Sequence, residues 1–113
     1  MLELGTAAPA FSLPDADGTM HSLEDAAGSK AYLVMFICNH CPFVKHVADE
    51  LARLARDYES QGVAVFAINS NDVEKYPDDG PAAMRVESAN RGSTFPYLLD
   101  ADQSVAKAYL AAC

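Results

Sequence analysis

The stretch Ala31-Tyr-Leu-Val-Met-Phe-Ile-Cys38-Asn-His-Cys41-Pro-Phe43 decides the fold. Its first part is apolar without alternation, the form of a strand whose two faces are both covered, with helices the expected cover. At Phe43 the period changes. Val44, Val47, Leu51, Leu54 and Tyr58 recur at helical spacing, with Ala48, Ala52 and Ala55 on the same or adjoining faces. Lys45, Asp49, Arg53 and Asp57 lie four apart and form the solvent side. Gly62 is placed to stop that helix, and Val63 to Ile68 reads as a second buried strand that exits through Asn69-Ser-Asn-Asp72. A strand, a long helix and a strand in this order predict a right-handed βαβ unit over residues 31–68.

Upstream, Phe11-Ser-Leu13 alternates, Pro14 to Gly18 supplies turn residues, and Thr19-Met20 returns as a second arm, so residues 1–30 read as a hairpin extension. Ser22 to Ala27 makes one helical turn before Gly28. Downstream, residues 69–113 hold a helix from Pro81 to Arg91 stopped by Gly92, and a strand over Thr94 to Leu99. A last helix places Val105, Ala108, Tyr109 and Ala112 on one face, capped by Asp102 or Ser104. That helix is still running at Cys113, so the chain reads as a single incomplete domain.

Length and composition bound the function. The chain has 113 residues, which suits one domain, and 50% are hydrophobic against 21% charged, enough for a core. Eight Lys and Arg face 16 Asp and Glu, a net charge of −8, which argues against nucleic acid and anionic membrane partners. The longest apolar run has the length of one strand, well short of the ~18 residues of a spanning helix. Met1 to Gly5 carries neither basic residues nor an apolar block, so a cytoplasmic location is the expectation.

The chemistry is expected at Cys38-Asn39-His40-Cys41. Two cysteines three apart at a helix start face one side, about 5 Å apart along the axis, so a disulfide can open and close without refolding. With the helix cap at Cys38 or Asn39, the free first-turn N–H groups favour the Cys38 thiolate, which makes Cys38 the nucleophile and Cys41 the resolving thiol. His40 between them favours the ionised, reduced form. A C-x-x-C is also half of a zinc site, with His21, His40, His46 and Cys113 as the remaining donors, but none of these forms a second close pair. His46 reads as a solvated histidine, and Phe36 and Phe43 as packing around the motif. Asp15, Asp17, Asp78, Asp79, Asp100 and Asp102 read as turn and cap residues, and Cys113 as either a third redox thiol or a small buried hydrophobe.

The run from Tyr32 through Phe43 resembles the active-site strand and helix of the thioredoxin superfamily. Phe11-Ser-Leu-Pro-Asp-Ala-Asp-Gly18 with Ser22-Leu-Glu-Asp25 is similar to the segment that precedes them in peroxiredoxins (AhpC/TSA-type) and cytochrome-maturation thioredoxins. Phe95 to Asp100 and Val105 to Tyr109 resemble their later strand and helix. The resemblance implies an α/β, three-layer thioredoxin-like sandwich with a mostly parallel sheet and the N-terminal β-hairpin extension. It also implies that a cis-proline loop, two strands and a helix lie beyond residue 113. An apolar sheet edge beside Tyr32 to Ile37 would then invite self-association.

The activity so implied is thiol–disulfide exchange with protein or small-molecule disulfides or thiols, with no bound cofactor. Two alternatives stand beside it. In a peroxiredoxin-like peroxide reductase Cys41, followed by Pro42, would be the peroxidatic cysteine; that family places threonine where Cys38 stands and needs an arginine that no pattern here identifies. The other alternative is a non-catalytic metal-binding or interaction module.

Overall fold

The computed structural model describes residues 2–111. Strands β1 (Ser12–Pro14) and β2 (Met20–Ser22) pair antiparallel, with Leu13 opposite His21. The turn between them is held by Asp15, whose carboxylate accepts the N–H groups of Asp17 and Thr19. A single 3-10 turn, Leu23–Ala26, follows Ser22. Strands β3 (Ala31–Phe36), β4 (Val63–Asn69) and β5 (Tyr97–Leu99) then form a parallel sheet in the order β3-β4-β5. Helix α1 (Pro42–Glu59) connects β3 to β4 as the periodicity predicts, and α2 (Pro81–Arg91) lies between β4 and β5.

Alternation along β4 divides the core into two layers. Phe66 and Ile68 pack on one face with Phe11, Leu13, Leu98 and Val105, so the hairpin and the short helix α3 (Ser104–Ala108) cover that side. Val65 and Ala67 pack on the other with Ala55, Met84, Phe95 and Tyr97, beneath α1 and α2. The result is a three-layer α/β sandwich of the thioredoxin type. A bridge between Asp15 and Leu98 fastens the hairpin to β5.

Several local expectations are corrected. The buried stripe of α1 is Ala48, Ala52 and Ala55, while Val47, Leu54 and Tyr58 stay exposed. Small side chains let the helix approach β4 closely, and the larger apolar residues are turned outward. Phe43, expected to pack around the motif, is 84% exposed. Strand β3 packs into both layers, Val34 and Phe36 on one side and Leu33 and Met35 on the other, but it lies at the sheet edge among the described residues and Tyr32 is 44% exposed. Strand β5 begins after Pro96, which has no N–H to donate but accepts the Ala67 N–H of β4 at its carbonyl. Helix α3 ends at Ala108 and Leu110 adopts a left-handed conformation, so the last helix does not run on through Leu110. Its N-cap is Gln103, and the buried Asp100 carboxylate accepts the N–H groups of Val105 and Ala106. Asp102 accepts only the N–H of Ser104. Cys113, with Ala112, lies outside the described residues.

Candidate active site at the strand-to-helix junction

In a parallel sheet the segments leaving the C-terminal ends of neighbouring strands converge. Here Cys38–Cys41 leaves β3 and the segment from Ser70 to Gly80 leaves β4, and the two meet. Both cysteines are free thiols, Cys38 buried and Cys41 half-buried. Together with Phe36, His40, Asn71 and Lys107 they line a cleft of about 550 Å³.

The helix starts two or three residues later than expected. Cys41 is the N-cap of α1 and Pro42 occupies the first helical position, where its missing N–H leaves nothing unsatisfied. This placement corrects the assignment of the first-turn amides to Cys38. The N–H of Val44 foremost, and that of Phe43, lower the Cys41 thiol below its ordinary range, with a smaller contribution from the Cys38 thiol; partial burial opposes them. Cys38 goes the other way. Burial raises its thiol, and the negative charge of Asp79 adds to this, against weaker help from the Cys41 N–H and the Asn71 side chain.

Asp79, expected to be a turn or cap residue, is instead the centre of the site. Its carboxylate is fully buried. One oxygen accepts the N–H groups of Asn39 at 2.7 Å and His40 at 3.2 Å. The other accepts Asn71 Nδ2 at 2.9 Å and is hydrogen bonded to His40 Nδ1. Desolvation pushes this carboxyl up, but the Asn71 amide, the Asn39 N–H and the two His40 donors outweigh it and hold it below its usual range. The rest of the motif is equally anchored. Asn39 donates from Nδ2 to the Asp78 carbonyl and accepts the Tyr97 hydroxyl, while Arg91 reaches the Asn39 carbonyl. Burial raises the Tyr97 hydroxyl further above its already high range, so it serves as a donor. The Tyr76 ring stacks on His40 with centroids 4.9 Å apart.

Sequence reasoning singled out the dithiol and His40 but not Asp79, Asn71, Tyr76 or Tyr97, which the structure places around them. The available signal was the run of polar residues at the exit of a strand buried over its last five residues, since such residues must be satisfied by something across the sheet end. Among the described residues, Cys38, His40 and Asp79 have donor atoms within 4.8 Å of one another. Three donors fall short of a closed structural zinc site, and two of them are already hydrogen bonded to each other. His46 is exposed, as expected, and His21 is paired with Asp15 at 2.9 Å in the hairpin, so neither adds a ligand.

The chain is similar to several known proteins. The hypothetical protein SMc02350 of Sinorhizobium meliloti 1021 has a crystal structure that superposes with a TM-score of 0.97 at 50% identity, covering all of this chain and 62% of that one. Rv2521, a provisionally named peroxiredoxin of Mycobacterium tuberculosis (strain H37Rv), is 31% identical over 93% of this chain and 62% of its own length. The thiol-disulfide oxidoreductase ResA of Geobacillus thermodenitrificans is 32% identical over 94% of this chain and 56% of its own. The chain thus spans less than two thirds of each of these relatives.

A further similarity corrects the expected cytoplasmic location. A secreted Mycobacterium tuberculosis disulfide oxidoreductase, described as homologous to E. coli DsbE, shares the fold with a TM-score of 0.71 at 21% identity, over 88% of this chain and 66% of that one. The fold therefore also operates outside the cytoplasm, and the composition of the first five residues does not assign a compartment. Residues 4–113 match the AhpC/TSA family, and on that match, with the sandwich and junction described above, the chain belongs to the AhpC/TSA family within the thioredoxin-like superfamily.

Proposed function

We propose that this chain carries out thiol–disulfide exchange at Cys38 and Cys41, with Cys41 as the attacking sulfur and Cys38 as the resolving one. The observation that carries this reading is the placement of two free thiols in one cleft, Cys41 at the start of α1 and Cys38 behind it in the fold. A thiolate is the nucleophile in exchange, so the sulfur nearer the helix-start N–H groups is the one that begins it. Its attack on a substrate disulfide joins Cys41 to one substrate sulfur and expels the other as a thiolate. Cys38 then gives up its proton and attacks the Cys41 sulfur. The second substrate thiolate leaves, the Cys38–Cys41 disulfide closes, and two electrons have passed to the substrate. Run in reverse, the same steps oxidise a substrate dithiol.

The order is opposite to the one implied by the resemblance, and trapping separates them. After mixing with a small disulfide, Cys38→Ser should retain a stable mixed disulfide detected by mass, while Cys41→Ser should remain a free thiol. Trapping on Cys41→Ser alone would restore Cys38 as the attacker, and trapping on neither would remove exchange altogether. The substrate class that fits is a protein or small-molecule disulfide or thiol, and the net charge of −8 supports neither nucleic acid nor an anionic membrane as partner.

Peroxide reduction at Cys41 is the second reading, supported by the similarity to Rv2521 and by a helix-start cysteine followed by proline. Among the described residues the cleft is lined by the cation Lys107 and by no arginine, which favours exchange. Consumption of hydrogen peroxide that persists in Cys38→Ser and disappears in Cys41→Ser would establish the peroxidase instead.

A further inference from the structure

Resolution requires Cys38 to lose a proton inside the fold. The thiol is buried, and Cys41 rather than Cys38 holds the N-cap position of α1. Beside the Cys41 N–H and the Asn71 side chain, Cys38 is approached by a ring nitrogen of His40 and an oxygen of Asp79, the sulfur and these two atoms lying within 4.8 Å of one another, a span that one water bridges. The Asp79 carboxylate already accepts three N–H donors and is hydrogen bonded to His40 Nδ1. An ionised carboxylate has no hydrogen to give, so Nδ1 donates to it, and in the neutral ring Nε2 is then the acceptor. Tyr76, stacked on the imidazole with planes 11° apart, holds the ring in that orientation.

We propose that His40 and Asp79 form a dyad that removes the Cys38 proton in the resolving step, His40 accepting it at Nε2 and Asp79 acting as the positioning residue. The proposal rests on the exchange reading above. In this step the Cys38 S–H bond breaks and an Nε2–H bond forms. The freed sulfur electron pair makes the Cys38–Cys41 bond, and the bond from Cys41 to the substrate sulfur breaks with its pair leaving on that sulfur. The imidazolium, held by the Asp79 carboxylate, then returns its proton to the departing thiolate, and the dyad ends as it began. Asp79 fixes the tautomer before the step and faces the charge that forms during it, the same division of labour found wherever a carboxylate orients a histidine base.

One equivalent of 5,5′-dithiobis(2-nitrobenzoate) separates the two steps, because attack by Cys41 releases the first coloured thiolate and resolution by Cys38 releases the second. A Cys38→Ser control should stop after the first. Asp79→Asn and His40→Gln should each slow the second phase relative to the first by about 100-fold, the usual lower bound for general base catalysis. The double variant should be no slower than His40→Gln, since Asp79 acts through His40. His40→Gln leaves the Asp79 bonds to the Asn39 N–H and Asn71 in place, so it tests the base in a folded loop. A second phase of unchanged rate in His40→Gln, or additive slowing in the double variant, would overturn the dyad while exchange stands. A wild-type chain that stops after one equivalent would remove the exchange reading itself.

Discussion

Replacing Asp79 by Asn should cost stability in a pH-dependent way. The amide oxygen of Asn can still accept the N–H groups of Asn39 and His40, which bond one carboxylate oxygen at 2.7 and 3.2 Å. On the other side an NH₂ group would face Asn71 Nδ2, now at 2.9 Å, and His40 Nδ1, so donors meet a donor. Two hydrogen bonds to a charged acceptor are lost, each worth about 1.5–3 kcal/mol, and a change of His40 tautomer recovers part of one. The net loss should be about 2–4 kcal/mol at neutral pH, which for a domain of this size lowers Tm by roughly 10–25 °C. The sign with pH follows from the depressed folded pKa of Asp79. Its contribution is complete above the ordinary carboxylate value near ~4 and is lost as pH falls through the lower folded value. Asn has no such titration. Urea unfolding followed by circular dichroism should therefore show the gap between the two proteins narrowing as pH drops from about 5 towards 3, the other carboxylates being common to both. A gap of equal size at pH 7 and pH 3, or no gap at pH 7, would refute the reasoning.

Iodoacetamide at neutral pH should label Cys41 well before Cys38, and the pH midpoint of Cys41 alkylation in Cys38→Ser should fall below that of an ordinary thiol; peptide mapping that finds equal labelling would contradict the assignment. Met84→Ala should lower unfolding free energy by about 2–5 kcal/mol in urea, because the side chain is fully buried beneath α2 and leaves a cavity. Sedimentation at increasing concentration should reveal association through the exposed edge of β3, reduced in Tyr32→Lys because a charge at an edge opposes strand pairing; identical behaviour of the two proteins would exclude that edge.

The sandwich was legible because its evidence is local. The apolar run of β3, the helical period after it and the apolar run Val63 to Ile68 of β4 each lie within a few turns of chain, and together they leave one topology. The same is true of Gly92, whose left-handed backbone ends α2 where the pattern stops. Asp79 was not legible in that way. It meets His40 across 39 positions of sequence, and next to Asp78 and ahead of Gly80-Pro81 it reads as an ordinary turn carboxylate. Only the convergence of the β3 and β4 exits makes it a partner of the motif.

The roles of the two cysteines depended on something smaller still. A C-x-x-C after a strand leaves open which cysteine caps the helix, and the cap is the residue that receives the free N–H groups. Pro42 decides it. A proline at the fourth helical position would remove the first ladder bond, whereas at the first it removes nothing, so it draws the helix start back to itself and makes Cys41 the cap. With the cap one residue before the proline, the amides serve the second sulfur. The first, left in the apolar floor of the cleft beside a buried carboxylate, needs a base to react. A residue at the fifth place of the motif thus sets the electrostatics of the first and fourth, and replacing Pro42 by Ala should test this directly. If the helix then starts earlier, the thiol of Cys38 should fall and that of Cys41 should rise in alkylation midpoint, and two unmoved midpoints would show that proline does not control the cap.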